Sequence, residues 1–487
     1  MKLNFPLFLA VLAALLTTGC GGGGGGTAAA QLAAPAAAPP ASGQSVGTVT
    51  GFGSIFVNGI EFDTRQATFV RNGRGAVEHD LKVGQVVTVS GTRNADGRHG
   101  TATQVTMRSN VEGTVTALDV TAGQITVLGQ IVQLDANTVV EGVTPADIPA
   151  DINGLAVGDA VEVSGLPGGS GVILATHIEK LSTTPATLQL RGVVASLDGT
   201  AKTFSIGAQV IDYANATLSG FAATALANGD KVEVQGPPPA AGAALAATRV
   251  EREERRVAGA RGDHSEVEGL VTRFVSATDF DIASQQVTTT DATRFERGSA
   301  ADLKLGARVE AEGTVDAAGV LVARKIEVRA AGTARVAGRI DALDSAAQTL
   351  TVLGQLIAVD ANTQYEDDSA AHKMPFGFAD LSANDFVVVR AVPGAGTGNA
   401  LATRVERRDA TQQTRLEVRG KVTTIAKPTF VVTGVTVTVD GGTRLELRHR
   451  VLTLDEFFAQ LAVGQQLEVH GVATGAKAIT ATAVESD

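Results

Sequence analysis

The chain has no tryptophan, two tyrosines, three methionines and one cysteine in 487 residues. A single thiol excludes an internal disulfide framework and any multi-thiolate metal site. Aromatic residues make up 4% of the sequence, and 51 acidic side chains face 40 basic ones, for a net charge of −11. Nucleic-acid binders normally present a basic face, and single-strand binders add stacking aromatics. This chain is short of both, so no nucleic-acid partner is expected.

The apolar run at the N-terminus is brief. After Lys2, the stretch Phe5–Leu16 (FPLFLAVLAALL) is too short to span a bilayer in the mature protein. Residues 1–19 have the form of a secretory signal peptide. Cys20, directly after Gly19, resembles the cysteine of the bacterial lipoprotein cleavage box, with Thr17 where that box usually carries Leu. The alternative is an ordinary signal peptide with a chance cysteine. On the lipoprotein reading Cys20 is the lipid anchor and the N-terminal lipid makes the membrane a partner. Gly21 stands where an inner-membrane retention signal would have Asp, which implies an outer-membrane lipoprotein of the cell envelope. Residues 20–44 are Gly-, Ala- and Pro-rich. They cannot bury a core and are expected to act as a tether with a span of about 27 Å.

The rest of the chain repeats itself. TVLGQIVQLDANT from Thr126 returns as TVLGQLIAVDANT from Thr351. Six openings (among them VEGTVTALD at Val111 and VRGKVTTIA at Val418) are each followed by an anchor such as LAVGDAVEVSG and a closing segment such as LATRVERR. These delimit six units: 45–109, 110–182, 187–256, 264–330, 333–410 and 415–487. In AVEVSG, Val161 and Val163 alternate with Glu162 and Ser164, the period of a half-buried strand. Gly158-Asp159 reads as a turn into that strand, and the Asp of each DANT line as an Asx-type cap. TLDEFFAQL in the last unit begins with a capping box, Thr453 and Glu456, and places Phe457 and Phe458 on a short helix. Five strands with a short helix after the third is the order of an OB-like barrel. The expected fold is therefore all-β: six tandem small OB-like five-stranded barrels in a row, each burying its own core.

GFGSIFVNGIEFDT (Gly51–Thr64), TVLGQIVQLDANT, LAVGDAVEVSG and LATRVE (Leu401–Glu406) resemble a bacterial domain of unknown function, DUF5666, found in tandem in secreted lipoproteins. The resemblance implies architecture and compartment and carries no activity.

Chemistry is hard to find in the repeats. The seven histidines have no ligand spacing, and no nucleophile elbow, zincin motif or phosphate loop occurs. No catalytic residue, no metal ligand and no cofactor is expected. Glu366–Asp368 (EDD) reads as a solvated turn, and the tripeptide Arg261–Asp263 (RGD) as part of a charged connector. The fifth unit is elaborated: Tyr365, Phe376 and Phe378 fall in YEDDSAAHKMPFGF. Exposed aromatics there would anchor a glycan or peptide; the alternative is that they fill the barrel end. The leading expectation is a non-enzymatic envelope lipoprotein serving as a structural or interaction module, with envelope glycan or protein as partner. The second is a ligand-binding lipoprotein using the fifth unit.

Overall fold

Alternating Val/Ile/Thr segments separated by Gly and Asp turns leave the backbone few options other than short strands. Among the residues it describes, the computed structural model shows forty such strands with one α-helix. It describes residues 41–486 apart from 121, 136, 143–151, 170, 222–224, 254–260, 330–333, 374, 393–398, 410–415 and 448–449. The expected signal peptide, Cys20 and almost all of the expected tether lie outside the described residues.

Barrel 6 shows the circuit. Strand Leu416–Ala426 pairs antiparallel with Thr429–Val432, which turns back as Val435–Thr438. That strand lies parallel to Ala478–Ser486, which pairs with Gln466–Gly475, and the latter closes on Leu416–Ala426. The order 1-2-3-5-4-1 is the closed five-stranded OB-like barrel. Barrels 1, 2, 4 and 5 repeat every pairing of it. In barrel 3 the first and last strands are each broken in two, at Val194 and at Ala247–Thr248.

Two sequence features make closure work. In barrels 1, 2, 4 and 6 the glycine that ends the anchor sits at a bulge between the fourth and fifth strands, where the backbones approach closely, and in barrel 5 Ala391 takes that place. A Cβ on Gly165, Gly313 or Gly471 would overlap the carbonyl oxygen of Leu174, Val322 or Thr480. Between the third and fourth strands a helical turn covers the barrel end. In barrel 6 it is the helix Leu454–Gln460, with the Thr453–Glu456 capping box formed in both directions. Phe457 is fully buried, its ring 5.8 Å from that of Phe430.

The expected row of independent barrels is corrected in two ways. Barrels 2 and 3 share one apolar core, and so do barrels 5 and 6, whereas barrels 1 and 4 each have their own. The first strands also pair between barrels. Leu190 of barrel 3 pairs with Val111 of barrel 2, and Arg335–Ala337 of barrel 5 with Glu417–Arg419 of barrel 6. Gly43–Val46 of barrel 1 pairs in parallel with His264–Val267 of barrel 4, which is not its neighbour in sequence. Parallel pairing needs a long crossover, and barrels 2 and 3 lie in the intervening chain.

Candidate functional site

In an isolated barrel the polar half of each alternating strand would face water. Here it is largely buried, because the outer faces of the first, fourth and fifth strands meet other barrels. Glu112, Glu162, Glu233, Glu266, Glu268, Glu310, Arg335, Arg390, Arg404 and Glu406 are all at most 8% exposed. Buried charges must be paired and hydrogen-bonded to be tolerated, and here the pairs form both within a barrel, as Glu310 with Lys325 and Arg404 with Glu366, and across junctions, as Glu162 with Arg71 and Glu417 with Arg335.

At the first junction, the hairpin Thr68–Arg71/Arg74–Ala76 of barrel 1 presents its Asn72-Gly73 turn to barrel 2. Both residues have positive φ, as a type I′ turn requires. Asn72 Nδ2 donates to Glu162 at 3.1 Å and to Glu112 at 2.5 Å, and Asn72 Oδ1 accepts from the Ser109 N–H at 2.8 Å. Arg71 bridges Glu162 and Glu179 at 2.9 and 2.8 Å. Glu112 and Glu162 are direct cross-strand partners. Burial, reinforced by the Glu162 charge, pushes the Glu112 carboxyl up to about 8.

The junction of barrels 1 and 4 is more acidic. Ser45 Oγ donates to Glu266 at 2.8 Å and the Thr48 N–H to Glu268 at 2.9 Å. Arg93 reaches across to Glu312 at 3.2 Å, and Arg308 holds Glu268 at 2.7 Å. Burial alone would raise Glu268, but Arg308 and Arg329 outweigh it and hold the carboxyl at about 2. Glu266 goes the other way, raised by burial and by Glu310. A small pocket between these barrels is lined by Gln44, Phe62, Arg93, His264 and Glu266.

Six stretches of the chain, residues 45–106, 112–179, 191–251, 268–327, 337–406 and 419–485, match one family profile, a domain of unknown function, DUF5666. The chain belongs to that family. No curated protein matches it.

In the fifth DUF5666 repeat the aromatic side chains turn inward. Phe376 is 7% exposed and carries the Arg407 guanidinium over its ring at 4.6 Å. Tyr365 and Phe378 are partly buried against the core shared by barrels 5 and 6. All three rings pack on that shared core, and Cys20 falls outside the described residues. Glu366–Asp368 is a strand rather than a solvated turn. Asp367 is bound by Arg407 at 2.5 Å, and Glu366 pairs with Arg404. In the RGD tripeptide the Gly262 N–H donates to the Val315 carbonyl, and Asp263 accepts from Ser42 of barrel 1 at 2.7 Å. The Asx caps form as read: Asp135 and Asp360 accept from the N–H groups of Asn137 and Asn362 at 2.8 and 2.9 Å.

One carboxylate–histidine cluster escaped sequence reading because its members lie on two strands. Glu417, Glu468 and His470 of barrel 6 bring ligand atoms within 4.8 Å of one another. The cluster already contains a cation, since Arg335 Nη1 lies 3.0 Å from Glu417. Its hydrogen bond to Glu468 raises His470 and favours the imidazolium, the form that does not ligate metal. The charge pairs themselves were also missed. The alternation that revealed the strands assigned the same residues to solvent.

A further surface feature recurs. The turn entering the fourth strand carries Val83 in barrel 1, where Gly84 lies against Val139 and Thr176 of barrel 2, and Val83 is buried. The equivalent Val157, Leu305 and Val463 of barrels 2, 4 and 6 are 62%, 60% and 65% exposed.

Proposed function

We propose that this DUF5666 protein is a non-enzymatic structural or interaction module of the cell envelope, held at the outer membrane through a lipid on Cys20. The observation that carries the reading is the use to which repetition is put. Strand faces that could serve as separate ligand surfaces are occupied by other repeats, so the six barrels form contacts with one another first. The exposed Val157, Leu305 and Val463 support an interaction role, because the corresponding turn of barrel 1 lies against barrel 2 at Gly84. Single exposed apolar side chains are ordinary on protein surfaces, so the support these three give rests on the junction made by their counterpart turn in barrel 1. Tethering follows from the lipobox-like cysteine and the Gly/Ala/Pro segment behind it.

The test is in vivo crosslinking of the full-length protein combined with membrane fractionation. Diacylglycerol on Cys20, loss of the protein from the membrane fraction in Cys20→Ser, and loss of crosslinked envelope species in a Val157→Ser/Leu305→Ser/Val463→Ser variant of unchanged circular dichroism are expected. An unmodified N-terminus elsewhere, or crosslinks indifferent to the triple substitution, would contradict the reading.

A further inference from the structure

The outer faces of the barrels can be compared level by level. At one level, the partners across the first, fourth and fifth strands are Gln44, Ser90 and Gln104 in barrel 1. In barrel 4 they are Glu266, Glu312 and Lys325. In barrel 5 they are three arginines, Arg335, Arg390 and Arg404, each directly opposite the next. Directly opposite residues have Cβ atoms about 4.5–5.5 Å apart, and like charges placed so destabilise a sheet. Each of the three is only 4% exposed.

Their partners are unevenly shared. Arg335 has Glu417 at 3.0 Å, and Arg404 has Glu366. The carboxylate paired with Arg390 is Glu406 at 3.7 Å, which accepts a hydrogen bond from Arg408 instead. Nε and Nη2 of Arg335, Nη1 of Arg390 and Nε of Arg404 are buried without an acceptor among the described residues. A buried donor left unpaired is costly, and such groups in native structures usually point to a missing water or ion.

We propose that barrel 5 binds a small monovalent inorganic anion of the chloride class among Arg335, Arg390 and Arg404. The anion accepts the orphaned N–H groups and screens three guanidiniums from one another. Monovalency follows from the flanking carboxylates Glu366, Glu406 and Glu417, which would repel a dianion held at the same place. The electrostatics agree with the geometry. Burial and the neighbouring Arg404 and Arg335 push Arg390 down to about 9. A guanidinium keeps its proton in a protein, so a field that disfavours its charge favours an anion beside it.

The test is thermal unfolding of the full chain titrated with sodium chloride against sodium gluconate at matched ionic strength. The wild-type midpoint should rise saturably with chloride, because a ligand that binds the native state stabilises it by mass action. Arg390→Met, which removes the under-partnered cation, should show no chloride-specific rise. Equal responses in both proteins, no chloride-specific response in the wild type, or an equal response to sulfate would overturn the proposal. Should Arg390→Met not fold, bromide-soaked wild-type crystals give the answer directly. An anomalous peak in contact with Nη1 of Arg390 is expected, and a water or nothing at that place would refute the site.

Discussion

Glu112 shows how single side chains tune the junctions. Its carboxyl, pressed against Glu162 and bonded by Asn72, sits at about 8 in the folded protein. That is above the usual carboxylate value of about 4.3. The folded state therefore holds the proton more tightly than the unfolded one. The stability this confers is complete below about pH 4.3 and is lost as pH rises through about 8. Glu253 and Glu268 have the opposite sign. Burial would raise both, but Arg191 and Lys231 outweigh it at Glu253, as Arg308 and Arg329 do at Glu268, holding each at about 2. Their contribution is present above about pH 4.3 and lost on acidification toward 2. Glu112→Gln keeps a side chain of the same shape and removes the titration. In urea unfolding, the wild-type midpoint should fall between about pH 5 and pH 9, and the variant's should fall less. Parallel curves would show that the proton on Glu112 does not matter to the junction.

At the scale of elements, the anchor glycine is the clearest link from sequence to fold. Gly165→Ala would drive a methyl group into the Leu174 carbonyl at the bulge that closes barrel 2. A loss of about 1–3 kcal/mol is expected. Gly199→Ala, in a turn with open space around it, should stay within about 0.5 kcal/mol. Equal effects at the two positions, measured by chemical denaturation, would remove the close-approach explanation. The strands, the hairpins, the Thr453 capping box and the Asp135 and Asp360 turns were legible because each is a local pattern of period, cap or turn. The pairings of Glu162 with Arg71 and of Glu266 with Ser45 were not, because period-two alternation says only that a side chain leaves the barrel. Whether water or another barrel awaits it depends on contacts between distant repeats. Tyr365, Phe376 and Phe378 left two readings open for the same reason. A cluster of aromatics in sequence reads alike whether it faces outward or packs on a core shared with the next barrel.

For the described part of the molecule as a whole, repetition is used for assembly. No helix among the described residues is long and apolar enough to cross a membrane, and the described chain from Ala41 onward falls within one compact unit. The central claim is that the barrels interlock out of sequence order, with barrel 1 on barrel 4 as well as on barrel 2. Ser42 and Asp263 test it most directly, because they are neighbours only if that junction forms, with Ser42 Oγ 2.7 Å from Asp263. Adjacent strands lie about 4.8 Å apart, within the Cα separation that a disulfide accepts. In a Cys20→Ser background, Ser42→Cys/Asp263→Cys should close an intramolecular disulfide on mild oxidation, seen as a mobility shift independent of protein concentration. Thiols that stay free in the folded protein, or that link only between molecules, would mean that the repeats follow one another along the chain without the interlock.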